Sequence, residues 1–136
     1  MARHKGSCHC GAVRFEITSD LAKLTTCDCS LCIKKNALMV KVHEDDFRLL
    51  SAEHCVSEYR WNTKIARHYF CKTCGVYTFH RKQAATDHYG INIFCLDDVD
   101  IKDIPIRATE GANMDVVENG ARDVWPGPRV SDSAAI

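Results

Sequence analysis

Seven of the nine cysteines in this 136-residue chain stand in three tight clusters. The clusters are a CxC motif at Cys8 and Cys10, a CxCxxC motif at Cys27, Cys29 and Cys32, and a CxxC motif at Cys71 and Cys74. Thiols at such spacing are typical of zinc sites. The CxC and CxxC motifs together supply the four sulfurs of a closed, structural site. The CxCxxC motif supplies three and leaves a coordination position open for chemistry. The sequence therefore predicts two Zn²⁺ per chain, one for folding and one for function.

Disulfide bonds are the competing interpretation of these cysteines. The first residues contain no apolar run of the kind that a secretory signal needs. An odd count of nine leaves one thiol unpaired, which fits a reducing compartment better than an oxidising one. We therefore expect metal ligation and a cytoplasmic location.

Charge and hydropathy exclude two classes of partner. Eighteen basic and eighteen acidic side chains balance, so there is no broad electrostatic case for nucleic acid. Seven metal-bound thiolates would outweigh two Zn²⁺ and make the loaded form acidic, which disfavours nucleic acid further. The apolar stretches are too short to span a membrane. We expect small-molecule partners instead.

The hydrophobic periodicity is mostly that of β-strands. Residues 12–17 alternate so that Val13, Phe15 and Ile17 share one face. The other predicted strands are 38–42, 47–50, 56–61, 66–70, 76–80 and 89–94. Short strands at this spacing predict a mainly β domain of antiparallel strands. We place this domain at residues 1–118, with a C-terminal tail at 119–136.

Local signals around the clusters predict one helix and two bends. Asp28 or Ser30 can cap a short helix over 31–35, which would put Cys29 and Cys32 on one face. Sulfurs of one zinc site lie under about 4 Å apart, whereas positions i and i+2 of a flat strand are about 6.6 Å apart. The CxC motif must therefore bend. Gly11 and Gly75, directly after the outer clusters, supply the backbone freedom that such turns need.

Three stretches carry a resemblance to a known family: GSCHCGAVRF at 6–15, CDCSLC at 27–32 and FCKTCG at 70–75. Their order and spacing resemble the glutathione-dependent formaldehyde-activating enzyme family, whose domain also occurs in centromere protein V. The resemblance runs from about Gly6 to Asp100. It implies an Mss4-like β-tent of short antiparallel strands stapled by zinc.

The resemblance also implies an activity and its residues. Cys8, Cys10, Cys71 and Cys74 would hold the structural zinc, and Cys27, Cys29 and Cys32 would hold a second, catalytic zinc. The implied activity joins glutathione to formaldehyde as S-hydroxymethylglutathione, in the carbon–sulfur lyase class. Lys34 and Lys35, just past the middle cluster, are candidates to bind the glutathione carboxylates; two solvated lysines on a turn are the alternative.

Other functions and ligands remain open at this stage. The chain can be a glutathione-binding carrier without catalysis, or a zinc-stapled interaction module. The module would be marked by a basic or low-complexity extension, and this sequence shows none. Cys95 can approach the middle cluster and close the second site. For His68, His80 and His88 we expect hydrogen-bonded structural roles, with a general base near the second zinc as the alternative.

Overall fold

A computed structural model describes residues 1–27, 30–60, 67–82, 86–109 and 118–122. This part of the chain forms eleven strands and one α-helix, α1 (Ser30–Lys35). The strands are β1 (Ala2–Ser7), β2 (Arg14–Ser19), β3 (Leu24–Cys27), β4 (Met39–His43), β5 (Phe47–Leu49), β6 (Val56–Tyr59), β7 (Arg67–Cys71), β8 (Tyr77–Arg81), β9 (His88–Asn92), β10 (Ile106–Thr109) and β11 (Glu118–Arg122). The predicted mainly β fold is confirmed. No helix among these residues is long and apolar enough to cross a bilayer.

The strands form two sheets. A three-stranded sheet has the order β1-β2-β5, and an eight-stranded sheet has the order β11-β10-β3-β4-β9-β8-β7-β6. Every named pair is antiparallel except β3 with β10, which run parallel. The antiparallel arrangement expected from the sequence therefore holds with this one pair as an exception. The two strands are far apart in the chain, and a long connection can return in either direction, whereas a short hairpin cannot.

The core lies between the two sheets. Val13, Phe15 and Ile17 are all 0% exposed, which confirms the predicted inner face of the first alternating segment. Phe15 on β2 packs against Phe47 and Phe79, with ring centroids 5.9 Å away in both cases. These separations are typical of favourable aromatic pairs. Because Phe79 lies on β8, the Phe15 ring joins the small sheet to the large one.

The six strands β4 to β9 match the predicted segments from 38–42 to 89–94, within a few residues at their ends. The last predicted segment ends early, because Ile93–Cys95 forms a 3-10 turn. Positions 61 and 66, at the ends of two predicted strands, lie outside the described residues. Four strands were not predicted: β1, β3, β10 and β11. The division into a domain at 1–118 and a tail at 119–136 stays a prediction, and the strand β11 spans that boundary.

The predicted helix over 31–35 is confirmed as α1. It ends at Asn36, which adopts a left-handed conformation with φ of 54°. Asparagine tolerates this conformation and commonly follows the last turn of a helix. The Ala37 N–H then donates to the Cys32 carbonyl at 3.3 Å. The sharp end turns the chain directly into β4, so that the helix stays beside the large sheet.

Candidate metal centre and active-site cavity

Four cysteines from two distant parts of the chain converge on one point. Cys8 and Cys10 follow β1, while Cys71 ends β7 and Cys74 lies in the next turn. Their Sγ atoms all lie within 4.8 Å of one another. The Cys8–Cys10 and Cys10–Cys71 distances are 3.6 and 3.7 Å. Zn–S bonds of about 2.3 Å place tetrahedral sulfurs about 3.8 Å apart. The cluster can hold a metal ion, and its geometry fits zinc.

Two turns with the same hydrogen bonding present these sulfurs. The Cys8 N–H donates to the Val13 carbonyl at 3.1 Å, and the Cys71 N–H donates to the Val76 carbonyl at 3.0 Å. Backbone N–H groups also point at the sulfurs. Val13 donates to Cys8 Sγ at 3.3 Å, and Cys74 donates to Cys71 Sγ at 3.4 Å. Such bonds favour the thiolate form that a metal needs.

Gly11 and Gly75 each directly follow the second cysteine of their cluster, with φ of 81° and 76°. A Cβ at either position would meet nothing within 4 Å, so the requirement is conformational and not one of space. Residues with a Cβ rarely adopt these angles. The prediction that both glycines allow the backbone to bend around the outer clusters is confirmed.

Electrostatics also prepare this cluster for a cation. Hydrogen bonds from the backbone at Cys10 and Val76 lower the pKa of Cys74 to about 6. Hydrogen bonds from the Cys74 and Thr73 backbone lower the pKa of Cys71, against the opposing effect of its burial. Thiolates are the metal-binding form. For Cys10, against the lowering effect of the Ala12 N–H, burial and hydrogen bonds to the three neighbouring thiols raise the pKa to about 11, so metal binding there must displace a proton.

The middle cluster is described in part. Cys27 ends β3 and is half-buried, and Cys32 lies buried on α1. Cys32 packs with Ala37 and Met39 in a small cluster that Cys27 also contacts. Cys29 lies outside the described residues. The fold thus brings two of the three predicted thiols to one place, and the three-thiolate site itself stays a prediction.

Cys95 lies apart from that small cluster. It packs in the main core together with Cys8 and Cys71, and its thiol donates to the Tyr77 carbonyl at 3.5 Å. Burial, together with the nearby Cys8 thiol, raises its pKa to about 12. Its contacts therefore make Cys95 a core side chain beside Cys8 and Cys71, outside the cluster of Cys32.

The two candidate lysines have different surroundings. Lys34 is exposed on α1. Lys35 is half-buried, and its Nζ lies 2.8 Å from His68 Nδ1 and 3.8 Å from the centre of the Tyr77 ring. Consecutive residues on a helix point about 100° apart, which is why neighbours in the sequence face different environments.

A third lysine near the middle cluster was missed in the sequence. Lys82 is half-buried, and burial followed by the nearby Lys41 lowers its pKa, while the Cys27 and Cys32 thiols act in the opposite direction. Lys82 directly follows β8, in a segment whose sequence is typical of a polar loop. Only the pairing of β8 with its neighbours in the sheet brings it near these thiols.

Two histidines form a buried stack beside these groups. The His68 and His80 rings lie 5.1 Å apart at an angle of 18°. Tyr77 Oη is 2.6 Å from His80 Nδ1. Gly90 makes room for this stack, since a Cβ there would clash with the His80 ring. The hydrogen bonds expected for these two histidines are present, and their roles stay a prediction. His88 instead pairs with the exposed Asp87, at 2.7 Å.

Burial keeps both stacked histidines neutral. Burial, with a smaller contribution from Lys35, lowers the pKa of His68 to about 4 and that of His80 well below its usual range. A neutral His68 ring accepts at one nitrogen and donates at the other. Because the Lys35 ammonium can only donate, Nδ1 of His68 is the acceptor and its proton lies on Nε2.

We expect the free energy of unfolding to fall as the pH drops below about 6.5, the pKa of an unfolded histidine. The unfolded chain takes up protons there, whereas folded His68 does so only near pH 4 and folded His80 lower still. The contribution of these histidines to the free energy of unfolding is therefore fully present above about pH 6.5. It is lost toward pH 4, by up to about 1.4 kcal/mol per pH unit per histidine. Urea unfolding between about pH 7.5 and 4.5, with zinc content measured at each pH, tests this.

The matched variants are His80→Gln and His54→Gln. His80→Gln should flatten the pH dependence, because glutamine does not titrate. The exposed His54 is the control and should leave the slope unchanged. An unchanged slope in His80→Gln would show that protonation of His80 does not contribute to the acid destabilisation.

A cavity of about 250 Å³ opens between α1 and the strands β6, β7 and β8. Tyr59, Tyr69 and Phe70 line much of its wall. Lys35, His68 and Tyr77 also line it, and Leu31 lies on the helix side. Tyr77 also packs against the small cluster of Cys27 and Cys32. The cavity is therefore adjacent to the middle thiols and largely apolar.

Comparison with known proteins agrees with this architecture. The model of the family described as glutathione-dependent formaldehyde-activating enzyme matches residues 3–110, which include all seven clustered cysteines. A crystal structure of a Rhodobacter sphaeroides protein is similar to this chain, with 34% sequence identity and a TM-score of 0.69. That match covers 75% of this chain and 98% of the other. The chain therefore belongs to the glutathione-dependent formaldehyde-activating enzyme family.

Proposed function

We propose that this protein is a zinc-dependent, glutathione-linked, aldehyde-handling enzyme. It joins glutathione and formaldehyde as S-hydroxymethylglutathione, and it belongs to the carbon–sulfur lyase class by the formal direction of that reaction. One observation carries the proposal within this family: an apolar cavity with one ammonium group, that of Lys35, lies beside the Cys27 and Cys32 thiols.

Two zinc ions per chain fit the cysteines. Cys8, Cys10, Cys71 and Cys74 would hold the structural ion in the geometry already described. Cys27, Cys29 and Cys32 would hold the second. When bound there, zinc supplies an open coordination position at which the glutathione thiol ionises near neutral pH.

The chain's own side chains would complete the site. Tyr59, Tyr69 and Phe70 present ring surface to the cavity and limit water there, which strengthens electrostatic interactions inside. Lys82 places positive charge near the Cys27 and Cys32 thiols, which would carry a net negative charge with their metal. Of the two lysines expected to bind the glutathione carboxylates, we propose the exposed Lys34 for that role, which leaves Lys35 for the cavity.

We also propose a cytoplasmic location. No disulfide bond joins any two of the eight cysteines in the described residues, as a reducing compartment allows. Reduced cysteines in this number also match a protein whose thiolates bind metal.

We expect reduced glutathione to bind this protein and S-methylglutathione to bind much more weakly. The two share a peptide, but only the first can provide a thiolate, which a zinc site accepts far better than a thioether. Binding should release a proton, so the apparent affinity should rise with pH below the pKa of the free thiol. Calorimetry in two buffers of different ionisation enthalpy measures that proton directly.

Two outcomes would change the proposal. Equal binding of both peptides without proton release would mean that glutathione does not use the metal. The protein would instead be a glutathione carrier if it binds the thiol but formaldehyde is consumed no faster with the protein than with glutathione alone.

A further inference from the structure

The Lys35 ammonium lines the cavity, and the structure shows what holds it there. Its Nζ donates to His68 Nδ1 at 2.8 Å and lies over the Tyr77 ring, 3.8 Å from its centre. Cys32 is three residues earlier on α1, a spacing that places two side chains on the same face of a helix. The last turn of α1 therefore presents a cation on the side of the helix that carries a middle-cluster thiol.

The proposed reaction needs a proton donor, and the Lys35 ammonium is placed to be that donor. A glutathione thiolate that attacks formaldehyde forms a C–S bond at the carbonyl carbon, and the C–O π electrons move onto oxygen. The resulting alkoxide is a strong base and must be protonated before the product leaves. Aromatic side chains line this cavity, so a proton donor on the protein is favoured over bulk water.

Five described side chains that line the cavity carry a transferable proton: Lys35, His68, Tyr59, Tyr69 and Tyr77. His68 is neutral, because burial lowers its pKa to about 4. The Tyr77 hydroxyl is held by another group, since it lies 2.6 Å from His80 Nδ1. Lys35 is the cation among the five, and an ammonium gives its proton readily to an alkoxide.

We propose that Lys35 is the catalytic residue that protonates the hemithioacetal oxygen, and that His68 is the positioning residue that holds the Lys35 ammonium at the cavity. This inference rests on the proposed function. The proton leaves Lys35 as the C–S bond forms and the C–O π bond breaks. The neutral amine then takes a proton from solvent, which replaces the one that the glutathione thiol released on binding. The cycle consumes one thiol and one aldehyde and no net proton. In the reverse direction the Lys35 amine accepts the hydroxyl proton.

The test compares three lysine variants. Lys35→Met removes the proton and the charge, and Lys35→Arg keeps the charge but has too high a pKa to donate a proton. Lys102→Met makes the first change at an exposed lysine and is the control. Rates come from NMR of S-hydroxymethylglutathione formation, affinities from glutathione calorimetry, and zinc content with circular dichroism confirms that each variant is folded and loaded.

We expect both Lys35 variants to lose about 100-fold or more in kcat, the range of general acid catalysis, with glutathione affinity within about twofold of wild type. Lys102→Met should match wild type in both. The wild-type kcat should fall at high pH as Lys35 loses its proton. His68→Gln should shift that fall in pH, which a merely structural role would not do.

Each other result is decisive. If Lys35→Arg keeps the wild-type kcat, Lys35 supplies charge alone. If Lys35→Met keeps it, the side chain is not needed. Either result overturns the inference about Lys35 but not the proposed enzyme activity. Loss of glutathione affinity with kcat preserved would make Lys35 a carboxylate receptor instead. A wild-type protein that binds glutathione but does not accelerate the reaction would overturn the proposed enzyme, and Lys35 catalysis with it.

Discussion

Cys71→Ser is expected to abolish folding of this protein, whereas Cys27→Ser is expected to leave a folded chain that has lost one zinc. Cys71 is completely buried, and its sulfur meets that of Cys10 from 61 residues earlier in the chain. A structural zinc contributes on the order of 10 kcal/mol of apparent binding free energy to folding. The net stability of a typical domain is about 5–15 kcal/mol. Loss of this metal would therefore remove a contribution as large as the whole net stability of a typical domain.

Zinc content, sulfur coordination by X-ray absorption and thermal unfolding followed by circular dichroism measure this difference. Wild-type protein should hold about two zinc ions with an average of about 3.5 sulfurs each, from one four-sulfur and one three-sulfur site. Cys55→Ser, at a half-buried cysteine outside the clusters, is the control and should keep both ions. If Cys27→Ser unfolds as completely as Cys71→Ser, the middle cluster is structural too. Four sulfurs at both ions would close the second site and remove its proposed role.

Phe15→Ala is expected to cost about 3–5 kcal/mol of unfolding free energy, even with both metals bound. The ring is fully buried on β2 and packs against Phe47 of its own sheet and Phe79 of the other. Its removal leaves a cavity where the sheets meet, and neighbouring rings that belong to separate sheets cannot easily move in to fill it.

Urea unfolding in zinc-containing buffer measures this cost. Leu50→Ala is the control, because Leu50 is 42% exposed and its truncation should change stability little. Phe15→Leu should recover part of the loss. Equal costs at the two positions would show that metal, and not the aromatic contacts, holds the two sheets together.

The parts of the fold that were predictable are those that local pattern determines. Val13, Phe15 and Ile17 alternate with polar or charged residues, and that alternation alone identifies a strand with one buried face. Lys34 and Lys35 end a short helix after a candidate cap. The four structural cysteines could be grouped because a tetrahedral site needs four sulfurs, and the CxC and CxxC motifs together provide that number.

The parts that were missed depend on which strands pair and in what register. Strand β1 reads as a charged, largely exposed segment, and it is a strand because it pairs with β2 along its whole length. His68 and His80 stack because they are direct partners across β7 and β8. Nothing within either strand signals that partnership. Lys82 reaches the middle cluster for the same reason, so its role could not be predicted from a polar segment.

The parallel pairing of β3 with β10 bears on the order in which the two proposed metal sites can form during synthesis. All four cysteines of the proposed structural site have been synthesised once the chain reaches residue 74, so that site can bind zinc early. Cys27 instead ends a strand whose register with β10 runs from Leu24–Ile106 to Cys27–Thr109, while a single pair, Thr25–Met39, joins it to β4. The strand that carries Cys27 gains its main support only after residue 109 has left the ribosome. The proposed second site would therefore form late, and a ribosome-bound chain would pass through a state in which the four-cysteine site can already bind a metal ion and the three-cysteine site cannot.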